Sequence, residues 1–221
     1  MDGNRTVSLG EKIYYLVVSV VLAVVTGVMA QASFYLGPVP YTMQNVGIIL
    51  SGLLLPPKYA LFSQFLYILL IVVGMPVASG FRGGLHVLFG PTGGYIAGFP
   101  MASFLMSMLS RFYLKRRGIR LSSIGFRDAV FLLLLSAVAV LPVYILGFAV
   151  FTWYALYNVN LFKWASNIAS IVGVSGDRIL VLFIATVAIF VPQDIFMDHV
   201  IAILVAKTLA RYFESRGIVF G

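Results

Sequence analysis

The sequence contains no cysteine, which removes disulfide frameworks, thiolate nucleophiles and cysteine metal sites together. Charge is almost as scarce. Only 10% of the 221 residues are charged and 61% are hydrophobic, against about 25% and about 45–50% in soluble domains. Seven acidic and fifteen basic side chains cannot clothe a 24.2 kDa globule in water, so lipid must solvate much of its surface. The two histidines, His86 and His199, are too few and too scattered for a recognisable metal site. No Walker lysine follows the glycines of Gly90-Pro91-Thr92-Gly93-Gly94-Tyr95 and no strand precedes them, so nucleotide binding is excluded there. Catalysis is equally poorly supported, because the paired acids Asp194 and Asp198 share one helix instead of facing each other.

What is present is a succession of apolar runs punctuated by charge. A helix crosses the hydrocarbon in about 20 residues, and the run Ile13 to Ala32 has twenty without a charge. It is longer than a signal-peptide core and is read as a retained first helix. The Gly37-Pro38-Val39-Pro40 break separates helix one, Ile13 to Phe34, from helix two, Met43 to Leu55. Helix three runs from Tyr59 to Val73, helix four from Pro91 to Arg111, helix five from after Asp128 to Tyr154, and helix six from Pro192 to Tyr212. The thirteen residues Ile179 to Val191 are short for a crossing and read as an interfacial or re-entrant piece before the last helix. The fold class is an all-α integral membrane bundle of about six transmembrane helices, forming one membrane-embedded domain over residues 1–221.

The net charge of +8 lies in short clusters between the runs, not on one face, which argues against nucleic acid as a partner and for lipid headgroups. With both termini cytoplasmic, Arg5, Lys12, Lys58, Arg111, Lys115, Arg116, Arg117, Arg120, Arg127, Lys207, Arg211 and Arg216 fall inside, leaving Arg82, Lys163 and Arg178 outside. That asymmetry favours six crossings over seven and places the chain in the cell membrane as a multi-pass protein. Phe34, Tyr35, Tyr41, Trp153, Tyr154, Tyr157 and Trp164 read as interface anchors.

Several polar residues fall in the outer half of this scheme: Gln31, Gln44, Tyr67, Thr92 and Asp194. Each can serve as a cross-helix hydrogen bond; together they mark where a solute pocket open to the outside would lie. Asp194 either caps helix six after Pro192 or is a functional acid at membrane depth, accepting N–H groups of a solute. Asp198 sits one turn deeper on the same face. Arg82, in Gly80-Phe81-Arg82-Gly83-Gly84, is either a solvated loop residue or a grip for a solute carboxylate. Ser19, Ala23 and Gly27 form a small-residue stripe at spacing four, suited to packing within the bundle or to docking on a partner membrane protein.

Read in order, Pro38-Val39-Pro40-Tyr41-Thr42-Met43-Gln44, Gly52-Leu53-Leu54-Leu55, Tyr67 through Gly74-Met75-Pro76-Val77, Gly83-Gly84, Leu88-Phe89-Gly90-Pro91-Thr92-Gly93-Gly94-Tyr95-Ile96-Ala97-Gly98-Phe99 and Phe190-Val191-Pro192-Gln193-Asp194 resemble the BioY family. These are biotin-specific substrate-capture (S) components of energy-coupling-factor transporters. The resemblance implies a six-helix vitamin-binding fold, biotin as ligand with no cofactor, and partnership with a transmembrane coupling subunit and two ATP-binding subunits. It implies that Ser19, Ala23 and Gly27 dock on that subunit and that the Phe34 to Thr42 loop caps the pocket. By the same implication Asp194 accepts a ureido N–H and Arg82 holds the biotin carboxylate, with Gln44, Tyr41, Tyr67, Thr92, Tyr95 and Asp198 completing the site. The sequence departs from the family at Gln193, where glycine is usual, and at Met197, where lysine is usual. The alternative readings are a related vitamin as ligand, or a stand-alone proton-coupled carrier with Asp194 or Asp198 as its proton site.

Overall fold

A computed structural model describes residues 9–35 and 37–216; Arg5 lies outside the described residues. The chain begins with α1 (Leu9–Gln31), followed by a hairpin of β1 (Ser33–Tyr35) and β2 (Pro40–Thr42). Then come α2 (Gln44–Leu54), α3 (Pro57–Val72), a single turn α4 (Leu85–Leu88) and α5 (Gly93–Arg117). The remainder is α6 (Phe126–Ala139), α7 (Leu141–Tyr157), α8 (Val159–Ile171) and a last helical run, α9 (Arg178–Glu214). Among the described residues three runs are long and apolar enough to cross a membrane: α1, the joined α6–α7 and α9. Contacts among the ends of α1, α3, α5, α6 and α9 gather basic residues at one end of the bundle. There Arg120 pairs with Glu214, Arg211 Nε donates to the Ser122 carbonyl at 2.7 Å, and Tyr113 donates to Asp128 at 2.8 Å.

The centre of the bundle is α2. All eleven of its residues are buried, enclosed by α1, α3, α5 and α9, so although about 16 Å of helix is too short to span the hydrocarbon, it never meets lipid. Lipid tails are as apolar as leucine, so close packing and hydrogen bonds, not water exclusion, bind such a helix to its neighbours. Gly47 supplies the packing: a Cβ there would lie 2.3 Å from Thr26 Oγ1 on α1. Gln64 on α3 supplies the bonds, donating to Thr26 Oγ1 at 3.1 Å and to Ser51 Oγ on α2 at 2.8 Å.

Three expectations change. Residues Ile179 to Val191 are neither interfacial nor re-entrant, because they form the first half of α9, which starts fourteen residues before Pro192. Proline normally ends or kinks a helix by losing a hydrogen bond and crowding the carbonyl four residues back. Here widened π turns at Ile184–Ala188 and Asp194–His199 flank it and let the run continue. The extra short segment before the last helix is instead α8, capped by Asn158, whose side chain accepts from the Asn160 and Leu161 amides. Trp164 on α8 is no free interface anchor; it packs on Phe151, with ring centroids 5.7 Å apart. It also lies so close to Gly37 that a Cβ there would sit 2.0 Å from its Nε1.

The third change concerns Ser19, Ala23 and Gly27. Ser19 and Ala23 are fully buried, Ser19 Oγ donates to the Tyr59 carbonyl at 3.2 Å, and a Cβ on Gly27 would meet Val77 at 3.1 Å. The stripe therefore packs α1 against its own bundle and presents no docking face to a partner. The opposite side of α1, with Val17, Val21, Val24 and Val28 each half or more exposed, is what α1 offers its surroundings.

Gly47→Ala should destabilise the protein by about 1–3 kcal/mol, the usual range for overpacking a tight contact. Thermal unfolding in detergent checks this; an unchanged midpoint would show that α1 and α2 have room to part.

Candidate functional site

Away from the basic cluster, the hairpin, the start of α2, the loop from Val73 to Thr92, the start of α5, the first turn of α7 and the middle of α9 enclose a cavity of about 80 Å3. Its polar lining is Thr42, Gln44, Asn45, Ser79, Arg82, Thr92, Tyr95, Tyr144 and Asp194. Its apolar walls include Val39, Val87, Ile96, Phe99, Val143 and Phe190.

Asp194 lies inside the last helical run, not at a helix start, since its own N–H is bonded to the Phe190 carbonyl at 3.0 Å. Capping therefore does not explain it. The true cap of α9 is Asp177, whose carboxylate accepts from the Leu180 amide at 2.7 Å. Asp194 is 6% exposed and takes a hydrogen bond from the Tyr144 hydroxyl at 2.6 Å. The Asn45 side chain bonds the same carboxylate, so the protein holds it from α7 and α2 where it lines the cavity.

Gln44 is oriented from two sides. Its Nε2 donates to the Tyr67 hydroxyl at 2.7 Å, its Oε1 accepts from Thr42 at 2.8 Å, and Tyr67 donates onward to the Val77 carbonyl at 3.1 Å. Tyr67 is thus a buried support behind the cavity wall. Tyr95 ties α5 to α9 by donating to the Thr186 carbonyl at 2.6 Å, within the first π turn, where the widened backbone offers a carbonyl sideways.

The mouth is built from the hairpin and the Ala78–Arg82 turn. Tyr41 stacks between Phe34 and Phe190, with centroid distances of 4.6 and 4.2 Å, and its hydroxyl donates to the Ile189 carbonyl at 2.9 Å. This latches the hairpin over the cavity; Val39, Pro40 and Thr42 do the lining, and Tyr41 does not. Gln31 steadies the turn by donating to the Ala78 carbonyl and accepting from the Phe81 amide. Phe81 takes a positive φ of 55°, a conformation side chains rarely adopt outside tight turns. Arg82 is exposed at the rim, where its Nε donates to the Ser79 carbonyl at 2.9 Å.

Of the residues singled out by sequence, Asp194, Arg82, Gln44, Thr92 and Tyr95 come together in the lining, while Tyr67 and Tyr41 act from behind and above it. Asp198 does not reach the cavity: it is fully buried one turn away, where Gln193 Nε2 donates to it at 3.0 Å. Met197, at the position of the family lysine, is 39% exposed and faces away. Sequence reading did not assign Asn45, Ser79, Tyr144 or Phe190 to the site. Tyr144 sits in an apolar run whose only signal was a lone hydroxyl beside Pro142, and nothing in the chain pairs it with Asp194 fifty residues later.

The fold and the cavity define a class: an all-α membrane protein that encloses a small, mixed polar and apolar pocket toward one end of its bundle. The BioY family matches residues 4–215, and the chain belongs to that family. It is a membrane transport protein, not an enzyme. It is 32% identical over 172 residues to the probable biotin transporter BioY of Bacillus subtilis, covering 78% of this chain and 85% of that one. With the probable biotin transporter BioY of Pyrococcus horikoshii it shares 47% identity over 83 residues, 38% of this chain and 51% of the other. With the biotin transporter BioY of Thermotoga maritima it shares 43% over 81 residues, 37% and 48% of the two chains. The match thus spans about half the length of these two relatives. A solved S-component for biotin from an ECF-type ABC transporter has the same fold, with a TM-score of 0.68 over 92% of this chain and 94% of that one at 22% identity.

A double-mutant cycle with Tyr144→Phe and Asp194→Asn, read by unfolding of the solute-free protein, should give a coupling of about 1.5–3 kcal/mol, the scale of a hydrogen bond to a charged group. Additive losses would show that the two side chains do not act as a unit.

Proposed function

We propose that this chain captures biotin at the outer face of the cell membrane and, as the S component of an energy-coupling-factor transporter, hands it to a transmembrane coupling subunit driven by two ATP-binding subunits. In this reading the protein is multi-pass with both termini cytoplasmic, as the positive charge at the end remote from the pocket favours.

The observation that carries the reading is the order of chemistry along the cavity: a carboxylate inside, aromatic and aliphatic walls, and a guanidinium at the rim. Biotin has the complementary order, with two ureido N–H donors, an apolar thiophane ring and a carboxylate tail. Asp194, oriented by Tyr144 and Asn45, accepts a ureido N–H. Gln44 and Asn45 bond the ureido group, Phe99 and Phe190 bound the ring, and Arg82 takes the carboxylate as a charge-assisted pair. Thr92 and Tyr95 close the wall at the start of α5, and the hairpin latched by Tyr41 lies over the bound solute. No Walker motif is present in the sequence, which supports an external source of energy. A cationic contact from the family lysine position is replaced here by Met197, leaving Arg82 as the one basic side chain in the lining.

Calorimetry of the purified protein should give biotin binding, with thiamine, riboflavin and lipoate failing to compete. Asp194→Asn should weaken biotin by about 1–3 kcal/mol, the cost of a mismatched buried partner, and Arg82→Ala should weaken biotin but not biotinamide. Preference for another vitamin, or equal loss for both ligands with Arg82→Ala, would overturn the assignment. In cells, uptake should require the coupling subunit and ATPases and survive collapse of the proton gradient; uptake by the chain alone that fails on collapse identifies a proton-coupled carrier instead.

A further inference from the structure

The turn from Ala78 to Arg82 is closed on itself, with the Ala78 amide donating to the Arg82 carbonyl at 2.9 Å and the Arg82 amide to the Ala78 carbonyl at 3.2 Å. Closing it puts Gly80 at a φ of 69° and Phe81 at 55°, two left-handed residues in succession. Hydrogen bonds from two other elements hold this turn in place.

One set comes from the end of α1, where Gln31 donates to the Ala78 carbonyl at 3.1 Å and accepts from the Phe81 amide at 3.0 Å. The other comes from the hairpin. The Tyr35 hydroxyl lies 2.9 Å from Ser79 Oγ, and Ser79 Oγ donates to Ser33 Oγ at 3.1 Å. A hydroxyl has one hydrogen to give; with that of Ser79 given to Ser33, Tyr35 is the donor to Ser79. The chain therefore runs from Tyr35 through Ser79 to Ser33, beginning and ending on β1. Gly80 makes room for it, since a Cβ there would lie 2.7 Å from the Tyr35 hydroxyl oxygen. Ser79 itself is buried, where a lost partner is costly.

Ser79 faces two ways. Its hydroxyl belongs to the hairpin network, and its backbone carbonyl accepts from Arg82 Nε at 2.9 Å. A long, exposed arginine side chain has much rotamer freedom to lose, and a bond at Nε restrains the plane of its guanidinium. The position of the Ser79 carbonyl thus decides where that plane points, and the hairpin decides where Ser79 stands. The other strand of the hairpin is latched to α9, because Tyr41 donates to the Ile189 carbonyl and stacks on Phe190. The hairpin accordingly joins the helix that carries Asp194 to the turn that carries Arg82.

We propose that Tyr35 and Ser79 are positioning residues for Arg82: through them the hairpin sets the guanidinium, so that the roof of the cavity and its cationic rim form one unit. Tyr35 does this without lining the cavity. The inference rests on the biotin reading for what Arg82 grips, while the link itself belongs to the solute-free chain. Its consequence is selectivity at the solute's tail. A carboxylate, bound by a charge-assisted pair that depends on geometry, draws on the hairpin link, and an uncharged amide does not.

Tyr35→Phe removes the hydroxyl and keeps the ring, while leaving the β1–β2 pairing and the Phe34–Tyr41 stack in place. Calorimetry of the purified full chain should show biotin weakened by roughly three- to tenfold, the equivalent of one hydrogen bond, with biotinamide unchanged. Adding Tyr35→Phe to Arg82→Ala should cause no further loss. Ser79→Ala should weaken biotin more than biotinamide; if it fails to fold, Tyr35→Phe decides the matter alone. In 15N-arginine NMR of the solute-free protein in lipid nanodiscs, the Arg82 Nε–H signal, assigned by its loss in Arg82→Lys, should exchange with solvent faster in Tyr35→Phe. Undiminished biotin affinity in Tyr35→Phe, equal loss for biotin and biotinamide, additive loss in the Arg82→Ala background, or an Nε–H signal indifferent to Tyr35→Phe would overturn the proposal. A parent chain that binds no biotin, with the Nε–H signal still responding, removes the solute reading and leaves the positioning link standing.

Discussion

The absence of water from the hydrocarbon shapes every polar contact in this protein. A polar atom on a soluble helix can turn to solvent; here it must find another side chain or a backbone carbonyl. The helix α2 shows the consequence most directly. Its Gln44, Asn45 and Ser51 are tolerable because four neighbouring helices shield it and because Tyr67, Asp194 and Gln64 respectively meet their polar atoms. Glycine at position 47 lets those neighbours come close enough to do so. The middle of the bundle is held together by small residues and hydrogen bonds, as expected where apolar burial alone discriminates little between protein and lipid.

The same constraint makes the pocket. Prolonging α9 through Pro192 requires a widened backbone, and along it the Thr186 carbonyl meets α5 and the Asp194 carboxylate meets α7. Tyr95 and Tyr144 then complete the bonds from those helices. A carboxylate carried in mid-helix, bonded by Tyr144 and Asn45 and lining the cavity, results from this arrangement. The hairpin gives the pocket its roof because Tyr41 and Phe190 stack and Gly37 yields to Trp164.

Hydropathy and charge were sufficient to recognise the membrane bundle, since runs of apolar residues and the placement of basic ones are local properties. The helix boundaries at Gln44 and Pro57 were legible for the same reason, each marked by a break the chain cannot cross as helix. The start of α9 was not: a short apolar run followed by Pro192 reads as a boundary unless the π turns that absorb the proline are seen. The small stripe of α1 was ambiguous in principle, because spacing four announces close packing without naming the neighbour. Its neighbour is α3 and the Val77 loop of the same chain.

Asp194, Arg82, Gln44, Thr92 and Tyr95 were identifiable from the sequence as chemistry out of place in an apolar chain, and the motif order carried the family. Tyr144 facing Asp194, Tyr67 standing behind Gln44, and Asp198 turned away from the cavity toward Gln193 were decided by the tertiary structure alone. The sequence by itself determined that this is a basic-ended membrane bundle with a few costly polar groups, because solvation by lipid acts on each residue where it stands. Which of those groups face one another, and which line the cavity, depends on helix rotation and on two π turns, and these arise only when the helices pack.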